Sequence, residues 1–196
     1  MAQLCRRATH PSRHPETTFE HFSIPAFDAE RLPAKELGAS IKSGKYALDG
    51  ESVLLSKINP RIARTWFAVP TTEASVASTE FLPWRGKAVS NAWLWATFSD
   101  GGFRSWLVGA AGGTSTSHQR AKPDDVASYP VRIPDRQTLR VFDSLAEPAL
   151  RETNVLRRHN QALARTRDLL LPRLVTGRLD VSKIDLDELL SREDGE

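Results

Sequence analysis

Four cationic or amide side chains fall within eight positions of this 196-residue chain: Lys57, Asn59, Arg61 and Arg64. Lys and Arg hold phosphates, and Arg and Asn can meet guanine and adenine edges bidentately. The four follow a buried-strand pattern, Ser52–Ile58 (SVLLSKI), which an Asp49-Gly50 turn introduces. They run into a second strand pattern, Arg64–Val69 (RTWFAV). A strand end that delivers them in one short arc is suited to a polyanion, and a solvated polar loop has the same composition. A second stretch offers similar chemistry. Gly112 and Gly113 let backbone approach a ligand closely. Thr114, Ser115, Ser117, His118, Arg120 and Lys122 supply donors for phosphates and base edges. A flexible surface loop is the alternative there.

Catalytic patterns are missing. The chain has no G-x-G, no G-x-x-x-x-G-K-[ST] and no G-x-S-x-G, so it lacks the usual nucleotide loops and the hydrolase elbow. No Asp or Glu stands two residues before a Lys, which removes part of a common nuclease signature. Asn59-Pro60 continues as Arg61-Ile62, without the second proline and aromatic that clamp a flipped base. His10 and His14 are four apart, but Pro11 and Pro15 prevent the helix that would pair them as metal ligands. No cofactor or metal is expected. Trp93, Trp95, Phe98, Phe103 and Trp106, at mixed spacings, read as core in preference to a base-stacking platform.

Charge is unevenly spread. Residues 1–178 hold 25 Lys/Arg against 17 Asp/Glu, whereas residues 179–196 hold 2 against 7. A basic body favours a polyanionic partner, although an ordinary basic protein has the same balance. No run of 18 apolar residues occurs, so no membrane partner is expected. The first residues lack the apolar segment of a secretory signal, and the one cysteine, Cys5, fits a reducing cytoplasm.

These residues need elements to position them. Residues 1–18 read as irregular and 19–70 as strands and turns, with Ser78–Leu82 a further strand or its start. Val131–Pro134 ends the mixed region, and a helical piece of about ten residues follows from Asp135. Pro148 then marks a kink or the first turn of a second, longer helix. Apolar residues in that helix recur every seven positions: Phe142, Ala149, Leu156, Leu163 and Leu170. The companion row, Ala146, Thr153, Asn160, Arg167 and Leu174, is mostly polar, and Asn160 is of the type that fixes register. From Ala149 to Pro172 the helix spans roughly 36 Å. So narrow a stripe needs a second helix, from this chain or another copy. Pro172 ends the regular run, Gly177 is a stop, and 180–190 adds a short strand or helical turn. The expected class is α+β: a mixed domain over 1–134, a coiled-coil-forming helix over 135–178 and an acidic tail over 179–196.

Phe19–Asp28 (FEHFSIPAFD), Ser52–Trp66 (SVLLSKINPRIARTW), Ala77–Leu82 (ASTEFL) and Arg167–Val181 (RDLLLPRLVTGRLDV) together resemble, in order, the DNA specificity subunit of type I restriction–modification enzymes. The resemblance implies a target-recognition domain that reads one half of a split double-stranded DNA site. It implies a spacer helix that sets the distance between half-sites and docks methyltransferase subunits, with restriction subunits as further partners. Methylation and cleavage would then belong to those partners. Lys57, Asn59, Arg61 and Arg64 match the motif and become candidates for the DNA-facing side; His21 and Ser23 are weaker, because Ile24 and Phe27 beside them look like core. Such subunits usually carry two recognition domains and two helices, and this chain shows one of each. The expectation is a half-length subunit that pairs with itself or with another half, or one part of a split or truncated subunit. A homodimer built on Leu156, Leu163 and Leu170 would favour an interrupted palindrome. A coiled-coil scaffold or antitoxin-like interaction protein that reads no DNA is the rival expectation.

Overall fold

The computed structural model describes residues 2–111 and 119–178. Among them, nine strands run in chain order: β1 (Ala2–Leu4), β2 (Ala8–Thr9), β3 (Thr18–Phe22), β4 (Ala34–Leu37), β5 (Lys45–Ala47), β6 (Ser52–Ser56), β7 (Thr65–Ala68), β8 (Ser75–Ser78) and β9 (Phe81–Gly86). The helices are α1 (Ile24–Ala29), α2 (Asn91–Ser99), α3 (Gly101–Ala110), α4 (Pro123–Ala127) and α5 (Arg136–Val175). The architecture is α+β, as expected. One sheet has the order β1-β9-β6-β7, and the other β2-β5-β8-β3-β4. Neighbours pair antiparallel except β3 and β8, which are parallel.

Strand β6 explains the layering. All five of its residues are buried. Val53 and Leu55 face one way with Phe67, Leu82 and Trp84, under Leu94, Phe98, Phe103, Leu107, Val126 and Leu139 of the helices. Leu54 faces the other way with Trp66, Ala68 and Phe81, against Phe22, Phe27, Leu48 and Ala77. A strand covered on both faces reads as an unbroken apolar run, which is why SVLLS was legible. Trp66 is the hub of the second layer, with ring centroids 4.9 Å from Phe22, 5.6 Å from Phe27 and 6.2 Å from Phe81. Burial of each such side chain contributes roughly 1.5–3 kcal/mol.

Several expectations need correcting. Residues 1–18 are not wholly irregular. They hold β1, β2, β3's first residue and a 3-10 turn at Pro11–Arg13. Strands of two or three residues carry no alternation, and these exist as pairings with β9 and β5. Ser78–Leu82 is not one strand, because β8 ends at Ser78 and β9 begins at Phe81. The aromatic section is helical: Ser90 caps α2 by accepting from Trp93 N at 2.9 Å, and Asp100 caps α3 by accepting from Gly102 N at 2.7 Å. Phe98 and Phe103 are core, whereas Trp106 is 39% exposed and donates from Nε1 to the Asp125 carbonyl.

Helix α5 is continuous over 40 residues, so Pro148 does not divide it and Pro172 does not end it. A mid-helix proline costs about 3 kcal/mol, and tertiary contacts on both sides of Pro148 offset it. Before it, Leu139 enters the core and Asp143 accepts from the Ser90 hydroxyl. After it, Arg151 grips Glu51, and buried Asn154 donates from Nδ2 to the Phe67 and Leu150 carbonyls. Asp135 caps the start, where hydrogen bonds from Thr138 hold its carboxyl below the usual carboxylate range. Gly177, at φ +67°, takes the left-handed conformation that ends the helix. The chain divides into two compact units at Val155/Leu156. The second unit's described residues are the rest of α5 and its end. Leu156 (52% exposed), Leu163 (67%) and Leu170 (37%) meet solvent there, and Asn160 is exposed among them.

Candidate nucleic-acid interface

The two stretches singled out in the sequence meet in space. Beyond β6, the segment from residue 119 lies beside residues 57–59. The Ala121 N–H donates to the Lys57 carbonyl at 2.7 Å, and the Asn59 N–H donates to the Gln119 carbonyl at 3.0 Å. Ile58 and Arg120 form an antiparallel bridge between them. On the other side the Lys57 N–H donates to the Glu80 carbonyl at 3.0 Å. Three segments far apart in sequence therefore share one small area: 57–61, Glu80 and 119–122.

Within it the side chains differ in freedom. Asn59 has φ +47°, a left-handed conformation that Asn tolerates better than most residues. Its carbonyl accepts from the Ile62 N–H at 2.9 Å and closes a turn over buried Pro60. Arg61 is exposed at the tip of that turn, and Ile62 beside it is 45% exposed. Lys57 is half-buried. Arg120 is 58% exposed and donates from Nη1 to Glu80 Oε2 at 3.0 Å. Lys122 is exposed, and its backbone N–H is capped by Asp125 Oδ2 at 2.8 Å.

Arg64 stands differently. Its Nε and Nη2 each donate to an Asp28 oxygen at 2.7 Å, and its side chain is only 11% exposed. The pair holds the Asp28 carboxyl below its usual range and raises the guanidinium. Its bidentate edge is thus spent on tying β7 to the end of α1. Asp28 was not anticipated as a partner: the two are 36 positions apart, and no spacing rule links them. Glu80 was missed for the same reason, lying 40 positions from Arg120.

The weaker candidates have structural duties. Ser23 caps α1 by accepting from the Ala26 N–H. His21 bonds Glu36 Oε1 through Nδ1 at 2.9 Å. Burial pushes its pKa down, against the pull of Glu36. Gly112, Gly113, Thr114, Ser115, Ser117 and His118 lie outside the described residues. Among the described residues, no three His, Cys, Asp or Glu side chains group as a metal site, and no helix is long and apolar enough to cross a membrane.

No protein-family model matches the sequence, and no curated protein matches it. Solved structures do. The crystal structure of the HsdS subunit from Thermoanaerobacter tengcongensis superposes with a TM-score of 0.60, covering 93% of this chain and 49% of that one, at 18% identity. A chain from work on complex assembly and conformational transition of the type I R-M system superposes with a TM-score of 0.61, again covering 93% and 49% at 18% identity. The chain shares the HsdS fold. It spans about half the length of each of these structures.

Proposed function

We propose that this chain is a sequence-specific DNA-recognition subunit of a type I restriction–modification system, reading one half of a split site. The observation that supports it most is the HsdS fold over 93% of the chain. The convergence of 57–61 with 119–122 adds a cationic surface on that fold, with exposed Arg61, Arg120 and Lys122 beside Lys57 and Asn59. Lys57, Arg61 and Lys122 bind phosphates and fix register on the duplex. Arg120 and Asn59 meet base edges. Arg64 supports the surface through Asp28. The subunit acts in the cytoplasm and performs no chemistry; methyltransferase subunits, with or without restriction subunits, carry out methylation and cleavage.

The exposed leucines of α5 supply assembly. Leu156, Leu163 and Leu170 pair with the same row of a second copy or another half subunit, and Asn160 fixes the register. Two recognition domains would then face a site with two-fold symmetry. The helix acts as a ruler over 135–178 and the recognition domain occupies 1–134.

Sequencing methylated bases in cells with and without the gene tests this reading. The expected result is one interrupted motif that disappears with the gene. Insertion of whole helical turns between Arg151 and Arg167 should change the gap and leave the half-sites alone. Normal assembly with no gene-dependent motif would favour a scaffold that reads no DNA.

A further inference from the structure

The arginines of this chain are not held alike. Arg64 gives Nε and Nη2 to Asp28. Arg151 gives the same two atoms to Glu51 at 2.7 and 3.1 Å. Arg85 spends Nε on the Glu51 carbonyl and Nη2 on Asp49. Arg167 gives Nε and Nη2 to its neighbour Asp168 at 2.9 and 2.8 Å. In each case the side edge of the guanidinium, the fork that fits two acceptors at once, is occupied.

Arg120 is held differently. One nitrogen, Nη1, spans both Glu80 oxygens at 3.0 and 3.3 Å. Among the described residues, none takes its Nε or Nη2. The base on which this pair stands is fixed. The Arg120 backbone lies in the bridge to Ile58, flanked by the hydrogen bonds of Gln119 and Ala121. The Glu80 carbonyl accepts from Lys57 N, and its N–H donates to Ser78 Oγ at 3.3 Å. Both side chains remain partly in water, at 58% and 32% exposure, where an ion pair adds little to stability. Its consequence lies elsewhere: the carboxylate restrains a flexible side chain through Nη1, and among the described residues no acceptor meets its two-donor edge.

We infer that Glu80 is a positioning residue that buttresses Arg120 through Nη1, so that Nε and Nη2 read the O6 and N7 of a guanine in the major groove. This inference rests on the DNA-recognition reading above and assigns one base class within it. The pre-set guanidinium loses less freedom on binding than a free one. The carboxylate also repels a phosphate from the same guanidinium, which favours a base edge over the backbone.

The test uses the full chain with its methyltransferase partner and a pool of randomised duplexes, sequencing those retained. Wild type is expected to enrich a split motif with guanine at one position. Arg120→Ala should weaken the preference at that position by about 5- to 150-fold and keep the other positions, as a bidentate contact requires. Arg120→Lys should not restore it, because an ammonium lacks the fork. Glu80→Gln should relax the same position and no other, with an unfolding midpoint close to wild type. A motif unaltered by Arg120→Ala overturns the inference, as does an equal loss of affinity for every duplex, which marks a phosphate contact. A wild-type pool with no enriched sequence overturns the DNA-recognition reading as well.

Discussion

The two parts of α5 are one helix by backbone and two by environment. Before Val155 it is pinned to the sheets: Leu139 is 9% exposed and Asn154 6%, and Arg151 grips Glu51. From Leu156 onward its leucines stand 37–67% exposed. Sequence periodicity runs through both parts, so periodicity alone does not say what covers a helix. The first part draws stability from the domain it lies on, through Leu139 and Asn154, even though Val141 and Leu145 are 59% and 71% exposed there, while none of the second part's leucines is buried.

The largest effect that sharpens this contrast concerns assembly. On the proposed pairing, Leu156→Asp with Leu163→Asp should abolish self-association while the first unit still folds, as light scattering and circular dichroism will read. Retention of the associated mass by the double variant breaks the comparison. Next, Leu139→Ala should lower the unfolding free energy by about 2–3 kcal/mol, the cost of a cavity in the core. Leu163→Ala, in dissociated protein, should change it by less than about 0.5 kcal/mol. Denaturant unfolding of the two side by side measures the difference. Asn154→Ala removes a buried donor from the Phe67 and Leu150 carbonyls. Its expected cost is about 1–2 kcal/mol, and a neutral result would show that the hydrogen bonds do not pin the helix. Arg151→Ala breaks a partly exposed pair with Glu51 and should cost less than about 1 kcal/mol.

A pH titration separates the domain's own stability from assembly. Burial holds the His21 pKa below the free value of 6.5. The unfolded chain therefore binds the proton first, and stability falls as pH drops below about 6.5 toward the folded value. Above that pH the contribution is level. His21→Gln should flatten this slope in thermal unfolding; an unchanged slope would assign it to other groups.

Much of this was legible in the sequence, for identifiable reasons. SVLLS is buried on both faces and so reads as a continuous apolar run, and the heptad leucines repeat without interruption. Short helical material is expected within 71–120, and Ser90 and Asp100 are capping residues, but aromatic residues at mixed spacing leave the bounds of the two helices unmarked. Pro148 reads as a kink or the first turn of a second helix because local propensity ignores the contacts of Asp143 and Arg151 that hold the helix on either side. For the candidate surface, Lys57, Asn59, Arg61 and Arg120 were found by residue type. Their meeting across the Ile58–Arg120 bridge was not.

The sequence by itself determined which side chains could meet a polyanion, where β6 and β7 run and how far the leucine row extends, because these follow from residue type and short-range period. Only the tertiary structure decided how each arginine is used. Asp28 lies 36 positions from Arg64 and takes its fork, while Glu80 lies 40 positions from Arg120 and takes Nη1 alone. Which carboxylate reaches which guanidinium depends on how the strands pair, and no local spacing encodes that.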